Sequence, residues 1–495
     1  MNSRLLSINR GEIDVRRIFW LLVVFETIAM LIILLGDIYE IAYFAAIVFL
    51  PTIFLLIPIE PVLGIPLMFI ATGFDFFAQI IKSENEILNL TYFHIVMVVT
   101  FASVFLNSFL KRKITFPSIS LWAPLIAFLT MTLISTLYTP NFFVGFLEFV
   151  RLLVLSILAF AILISIDSIR RVKFVVWSYI LIPLGVAIFT IYEILTQGAF
   201  FSSQVARVAT ELGIPVYRST GTFHNPNDLA CFLMIGISLS FAVLIIENAK
   251  IYTKIMMIVI IGITSFALIA SFSRGGWLST FVAVAFIVIL QRKWSYAALF
   301  GGVFILTLIV LSVKFPHIIL SALDRFGSII NPFGEASSSS RISLIRTGIW
   351  MWHDHPIFGV GGGGFSYYAF DYIDPDMPRM VSSTKQAHTL QVKILAEQGL
   401  VGFSIAVWFF FTVLFDGIRS IRTMKDIYLK KIQIGFVALF VGFIANFTFA
   451  SDMHNNIFWI TVGVIYAIPL VYQNMLGADH QQSNNSTLSL KEDSS

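Results

Sequence analysis

The sequence has little charge and almost no cysteine. Only 12% of its 495 residues are charged, whereas 58% are hydrophobic and the mean hydropathy is +0.89. Soluble proteins carry about 25% charged residues, so this composition cannot coat a water-facing surface and predicts a chain that lies mostly in lipid. The single cysteine, Cys231, excludes a disulfide framework and any zinc site built from cysteines.

Long apolar runs divide the chain into about fourteen predicted membrane spans, because a helix needs roughly 20 mostly apolar residues to cross about 30 Å of hydrocarbon. The fold class is therefore an all-α integral membrane protein. The predicted spans are 18–36, 40–58, 62–81, 91–110, 120–138, 143–166, 174–196, 226–246, 254–271, 276–291, 296–313, 399–416, 433–450 and 456–474.

Basic residues collect in alternate short connections, as in Lys111-Arg112-Lys113 and Arg170-Arg171. The positive-inside rule places these connections and both termini in the cytoplasm. Two longer segments then lie on the periplasmic side, and a loop of roughly 85 residues is typical of a functional segment. The predicted units are a cytoplasmic N-terminus (1–17), a transmembrane bundle (18–196), a periplasmic loop (197–225), central helices (226–313), a large, partly helical periplasmic loop (314–398), C-terminal helices (399–474) and a disordered cytoplasmic tail (475–495).

The first motif runs from Arg218 to Asp228 and opens a predicted span. Asn225 suits a helix N-cap and Pro226 the first helical position. A helix N-terminus with Arg218 beside it is suited to an anionic oxygen. The alternative is that Asn225-Pro226-Asn227 is only a cap and Arg218 only an interfacial anchor.

The second motif, Ser271-Phe272-Ser273-Arg274-Gly275-Gly276, is a predicted tight turn between two apolar helices. Arginine is costly there unless it has an anionic partner, and the glycines permit close backbone approach. Snorkelling of Arg274 to lipid headgroups is the alternative.

The third motif lies in the large loop, where Arg341 and Arg346 precede His353-Asp354-His355 and the glycine run 361–364. Apolar spacing predicts a helix over 341–352 that lies along the membrane surface. The glycine run indicates unusual backbone angles or close ligand approach, and it lacks the Gly-Lys-Ser/Thr of a P-loop. The spacing of the histidines does not favour a metal site.

The fourth motif contains His388, Gln391 and Glu397, on a helix predicted from about 385 to a C-cap at Gly399. Histidine suits proton transfer near neutral pH, although a lone histidine is more often structural. Upstream, Glu148 and Arg151 are predicted to form an intramembrane pair.

Taken in order, the four motifs resemble the O-antigen ligase and polymerase superfamily of bacterial envelope glycosyltransferases. The resemblance rests on Arg218…Gly221-Thr222-Phe223-x-Asn225-Pro226-Asn227, Ser273-Arg274-Gly275, Arg341…His355-Pro356-x-x-Gly359-Val360-Gly361 and His388-x-x-Gln391…Glu397-x-Gly399. The chain departs from the family at Ala387-His388-Thr389, where His-Asn and an aromatic are usual, and at Ile345, where many relatives carry Trp.

The resemblance implies a membrane-embedded C-type fold that performs inverting glycosyl transfer without a metal or cofactor in the bacterial inner membrane. The donor would be a glycan on undecaprenyl pyrophosphate. The acceptor would be a sugar hydroxyl on lipid A core for a ligase, or on a lipid-linked repeat for a polymerase. The implied catalytic residues are His388, Arg218 and Arg274, and the implied substrate-binding residues are Arg341, Arg346, Asn225, Asn227, His355, Gln391 and Glu397.

Two other classes compete with this enzyme. A flippase or transporter of lipid-linked glycans is compatible with fourteen spans, but the sequence lacks the internal repeats that are usual in transporters. A non-enzymatic scaffold would not need arginines beside a helix N-terminus on the periplasmic side.

Overall fold

A computed structural model describes residues 56–74, 79–81, 90–110, 117–196, 207–208, 216–247, 249–292, 294–314, 316, 319–320, 336–372, 387–450 and 453–492. The predicted span 18–36 and most of 40–58 lie outside these residues.

Helices dominate the described chain. Their bounds are α1 Gly64–Gly73, preceded by a 3-10 turn Pro61–Leu63, α2 Tyr92–Leu110, α3 Trp122–Ser135, α4 Phe142–Ser165, α5 Ile169–Thr196, α6 Pro226–Leu244, α7 Ile251–Ala270, α8 Arg274–Gln291, α9 Ser295–Lys314, α10 Ala336–Asp354, α11 Gly364–Tyr368, α12 Leu390–Thr423, α13 Ile427–Asn446 and α14 Asn456–Glu492. Two short antiparallel pairs complete the elements: β1 Gln79–Ile81 with β2 Leu90–Thr91, and β3 Arg207–Val208 with β4 Val216–Tyr217.

Nine helices in the described residues are long and apolar enough to cross a membrane: α2, α4 to α8, α12, α13 and the Asn456–Gly477 part of α14. Three shorter apolar helices occupy Pro61–Gly73, Trp122–Ser135 and Ser295–Val310. The expected class, a helical multi-pass membrane protein, is therefore confirmed. The three short helices fall at the predicted spans 62–81, 120–138 and 296–313.

Helix α6 is the centre of the bundle, and it packs against α5, α7, α8 and α13. It is apolar on all sides and almost wholly buried, as expected of a central helix. Small residues bring its neighbours close. A Cβ added at Gly276 of α8 would lie 2.3 Å from the Cβ of Ala230, and one at Gly435 of α13 would lie 2.5 Å from the Cβ of Ala242. Such small-residue crossings are the usual means of packing helices in lipid.

The two ends of the bundle differ in chemistry. At one end Lys431 contacts Gln291 and lies 3.9 Å from Glu247, and Lys173 lies over the Tyr428 ring. These are the basic connections that the sequence assigns to the cytoplasm. The other end, called the site end below, contains the N-termini of α4, α6, α8, α12 and α14.

One predicted helix boundary differs from the structure. The helix expected from about 385 begins at Leu390, because His388 has a left-handed φ of 50° and Thr389 is extended. The N–H of Leu390 instead donates to the carbonyl of Phe447 at 2.9 Å. Residues 390–398, predicted as a helix within the large loop, are thus the first turns of α12, which breaks at the predicted C-cap, Gly399 (φ 63°, ψ −163°).

Helix α14 continues to Glu492, and the disorder and cytoplasmic side predicted for the tail 475–495 remain predictions.

Candidate functional site

The N-terminus of α6 has the predicted capping arrangement. Asn225 is the N-cap, and its side chain accepts a hydrogen bond from the N–H of Asn227 at 2.9 Å. Pro226 occupies the first helical position and Asp228 lies in the first turn. The N–H groups of Asp228 and Leu229 donate to the carbonyl of Asn225 at 3.1 and 3.2 Å, and this start of the helix carries its partial positive charge.

Arg218 is held against this helix end and against the neighbouring turn. Its Nε donates to the carbonyl of Ser271 at 3.1 Å, and its Nη2 donates to Oδ1 of Asn227 at 3.3 Å. The same oxygen of Asn227 accepts from Oγ of Ser273 at 2.8 Å. One asparagine therefore joins Arg218, the start of α6 and the turn that leads into α8.

Arg274 is the first residue of α8, and Ser273 caps that helix by accepting from the N–H of Gly276 at 3.2 Å. A Cβ at Gly275 would lie 2.9 Å from the Cβ of Phe449. The predicted reason for the glycines, close backbone approach, is confirmed. The N-termini of α6 and α8 thus meet through Asn227 and Ser273, with Arg218 bonded to Asn227 and Arg274 in the first position of α8, and both helix starts carry partial positive charge.

Glu193, a residue that the sequence analysis missed, hydrogen-bonds to the segment between Arg218 and α6. Its Oε2 accepts from the N–H of Gly221 at 2.9 Å, and Gly221 has a left-handed φ of 55°. Glu193 is buried near the end of α5. A glutamate inside an apolar helix is a signal that could have identified it.

His388 is half-buried, and the two residues after it hydrogen-bond to the segment 447–450. The residue after it, Thr389, donates to the carbonyl of Thr448 at 3.3 Å, and Phe449 of the same segment packs on Gly275. This segment therefore contacts both the residue after His388 and the residue after Arg274. Burial and the positive charge of Arg341 lower the pKa of His388. Arg341 lies on α10, so the structure brings the third and fourth motifs together.

Gln391 and Glu397 lie on the first turns of α12. Oε1 of Gln391 is buried without a hydrogen-bond partner among the described residues. Glu397 is buried, and its Oε1 accepts from the N–H of Phe365 at 3.3 Å, just after the glycine run. This contact favours a structural part for Glu397 and leaves Gln391 available to a ligand.

The glycine run packs against protein backbone. Gly361 donates from its N–H to the carbonyl of Glu397 at 2.9 Å, and Leu400 donates to the carbonyl of Pro356 at 2.9 Å across the α12 break. Gly359, Gly361 and Gly363 have φ values of 72°, 95° and 73°. A Cβ at Gly361 would lie 2.5 Å from the Cα of Thr139. Of the two predicted reasons for the run, the unusual backbone angles are therefore present, and the close approach is to the protein itself.

A second charged group lies beside these turns. Lys393 of α12 pairs with Oε1 of Glu148 at 2.7 Å and lies 3.9 Å from Glu397. Nε2 of His454 lies 3.3 Å from the carbonyl oxygen of Glu148. Glu148, expected to pair with Arg151, thus joins α4 to α12 and α14. Lys393 and His454 were missed, since nothing in their local sequence separates them from ordinary loop residues.

His355 and Arg346 remain apart from these groups. His355 is exposed where α10 ends, and its carbonyl accepts from the N–H of Gly359 at 3.0 Å. Arg346 is half-buried on α10. No group of three or more His, Cys, Asp or Glu residues that could hold a metal ion occurs in the described part of the chain.

The chain is similar to known proteins of envelope polysaccharide synthesis. Residues 257–407 match a family model described as O-antigen ligase. The chain is also 25% identical over 355 residues to a teichuronic acid biosynthesis protein, TuaE, of Bacillus subtilis (strain 168), with 68% of each chain covered. The match includes Arg274, the glycine run and His388, whereas Arg218 precedes it. These findings confirm the resemblance and support a role in membrane polysaccharide ligation or polymerisation, since residues 257–407 are similar to the O-antigen ligase family model.

Proposed function

We propose that the chain is an inverting glycosyltransferase that moves a glycan from undecaprenyl pyrophosphate to a sugar hydroxyl. The observation that carries the proposal is the meeting of Arg218 and Arg274 with the N-termini of α6 and α8 through Asn227 and Ser273. A departing pyrophosphate needs fixed positive charge, and donors that are already in position stabilise such charge without reorganisation.

In this reaction the acceptor oxygen bonds to the anomeric carbon from the face opposite the pyrophosphate. The bond from that carbon to the phosphate oxygen breaks, and the pyrophosphate leaves with the electron pair. His388 takes the proton of the hydroxyl. Its lowered pKa supports this part, because the neutral imidazole is the form that accepts a proton.

We propose that the other candidate residues bind substrate or hold the site in shape. Gln391 and Arg341 bind or orient the substrates near His388, and Asn225 and Asn227 hold the anion site in shape. No cofactor takes part. The substrate contacts predicted for Arg346 and His355 remain predictions.

We place the reaction on the periplasmic face of the inner membrane, with both termini in the cytoplasm. The separation of the basic connections from the site end supports this orientation, since cytoplasmic connections carry the excess of Lys and Arg.

The proposed acceptor is lipid A core, which makes the protein a ligase. The alternative is a polymerase that joins lipid-linked repeats, and the name of the relative, a teichuronic acid biosynthesis protein, favours it. In a deletion strain, bare core with accumulated long lipid-linked chains indicates a ligase, whereas core with a single repeat indicates a polymerase.

The chemistry is tested by His388→Ala and Arg274→Ala in the full chain. We expect glycan transfer to fall about 10²–10⁴-fold for His388→Ala, from loss of the base, and about 10²–10³-fold for Arg274→Ala, from loss of a charge donor. The measurement is transfer in membranes with matched amounts of protein.

The matched controls are His353→Ala, whose side chain is 85% exposed, and Arg422→Ala at the basic end. Both should retain wild-type transfer. Full transfer by His388→Ala and Arg274→Ala would refute the proposal, and movement of a lipid-linked glycan across vesicles by those variants would instead indicate a flippase.

A further inference from the structure

A cavity of about 200 Å³ opens beside the first turn of α6, the same turn that contains Asn227. It holds far more than one water molecule. Its wall combines polar and aromatic side chains from three parts of the chain, among them Phe223, Asp228, Phe232, His454, Asn455 and Asn456. Phe223 and Asp228 belong to the first motif, but the proposed reaction gives this cavity no part.

The cavity differs in charge from the adjoining anion site. Asn227 faces Arg218 and Ser273, whereas the next residue, Asp228, lines the cavity. Because consecutive helical residues project about 100° apart, Asn227 faces the anion site and Asp228 faces the cavity. A carboxylate in the wall repels phosphate, which makes the cavity suited to an uncharged polar group.

Asn456 is the side chain that most directly indicates a ligand. It is half-buried in the cavity wall and makes no hydrogen bond with any described residue. Its neighbour Asn455 is different, since its Oδ1 caps α14 by accepting from the N–H groups of Ile457 and Phe458 at 3.1 and 3.0 Å. A carboxamide has two donors and an acceptor, which suits a hydroxyl that both donates and accepts.

The remaining wall supplies flat apolar surface and a link to the buried ion pair. The rings of Phe223 and Phe232 lie 5.3 Å apart. His454 lines this cavity and also contacts the carbonyl of Glu148, whose carboxylate binds Lys393. The wall thus combines convergent polar groups with two flat aromatic rings, an arrangement that suits a small polar ligand.

We propose that this cavity binds one uncharged sugar ring of a glycan substrate through its hydroxyl groups. The inference rests on the proposed glycosyl transfer. The ring belongs either to the end of the acceptor or to the sugar next to the donor pyrophosphate, and both present the same chemistry to Asp228 and Asn456.

The test measures equilibrium binding to the full chain in nanodiscs. One probe is a repeat-unit oligosaccharide released from the host's surface polysaccharide and labelled at its reducing end. The other is the same unit on undecaprenyl pyrophosphate. We expect Asn456→Ala to weaken binding of one probe about tenfold, the effect of losing one or two hydrogen bonds.

Two further variants make the test specific. Asn107→Ala removes a half-buried asparagine from α2, whose Nδ2 donates to Pro58, and should leave both affinities within about twofold. Cys231→Met enlarges a side chain in the cavity wall and should weaken the same probe as Asn456→Ala.

Weaker binding of the free oligosaccharide assigns the cavity to the acceptor, and weaker binding of only the lipid-linked unit assigns it to the donor sugar. Unchanged affinity for both probes in Asn456→Ala, or no binding by the wild type, would overturn the inference. The proposed reaction has its own test. If the protein binds the probes but transfers no glycan, the proposed reaction is wrong. If it transfers glycan but Asn456→Ala has no effect on binding, only the sugar-binding role of the cavity is wrong.

Discussion

At the scale of single residues, the charges at the site end are held by the protein before any substrate arrives. Arg218 is fixed by Ser271 and Asn227, and Lys393 is fixed by Glu148. Because lipid solvates charge poorly, each such side chain needs a local partner. The consequence is preorganisation, because the Arg218 guanidinium is already oriented before the reaction.

The effect of the Arg341 charge on the pKa of His388 predicts a change in pH dependence. Arg341 lowers the pKa of His388, so Arg341→Gln should raise that pKa. Activity that needs neutral His388 is lost as pH falls through its pKa, and the acid limb of kcat/KM should therefore move to higher pH. The measurement is a pH profile of glycan transfer.

Arg346→Gln is the matched control, since Arg346 lies on the same helix and is also half-buried. Its acid limb should stay at the wild-type position. An unchanged limb in Arg341→Gln would show that His388 does not supply the base.

At the scale of elements, the glycine run and the break in α12 form one unit. The break at Gly399 removes helical hydrogen bonds, and the carbonyls of Pro356 and Ile357 accept from the N–H groups of Leu400 and Val401 in their place. A Cβ at Gly399 would lie 2.3 Å from the carbonyl oxygen of Ile357. The run therefore holds the first turns of α12, and with them Gln391 and Glu397, in position.

This view predicts that Gly361→Ala destabilises the protein. The substitution places a side chain at φ 95° and a Cβ 2.5 Å from Thr139, and strain of this kind costs about 1–3 kcal/mol. Thermal unfolding in nanodiscs should show a clearly lower midpoint.

Gly301→Ala provides the control, because a Cβ in the middle of α9 meets nothing within 4 Å. It should stabilise by roughly 0.5–1 kcal/mol through helix propensity. Equal midpoints for the two variants would contradict the structural part given to the glycine run.

At the scale of the whole molecule, the length of the helices separates a basic end from the site end, where the candidate functional residues lie. Lys431, Glu247 and Gln291 meet at one end, whereas Asn227, Ser273 and His388 lie at helix starts at the other. The proposed orientation follows from this separation and from the positive-inside rule.

The orientation is tested by cysteine labelling in the Cys231→Ala background, which removes the single native thiol. In intact cells an impermeant maleimide should label His353→Cys on the large loop and leave Thr423→Cys at the basic end unmodified. Both positions are exposed, so lysis should make both reactive. The reverse pattern would place the site end in the cytoplasm.

Much of the helical arrangement was predictable because apolar length and capping are local properties. The α6 N-terminus matches its prediction residue by residue, from Asn225 as N-cap to Asp228 in the first turn. The start of α12 was not predictable, since the left-handed φ of His388 accompanies hydrogen bonds to the distant segment 447–450.

The sequence by itself determined a membrane protein with basic connections at one end and arginine-bearing helix starts at the other. Hydropathy and charge position are sufficient for that. Only the tertiary structure decided that Glu148 binds Lys393 and that Asn227 joins Arg218 to Ser273. It also placed Asn456 in a cavity beside Asp228. The physical reason is that such pairs depend on how the helices rotate and pack against one another. That packing depends on small residues at several helix crossings, which are far apart in the sequence.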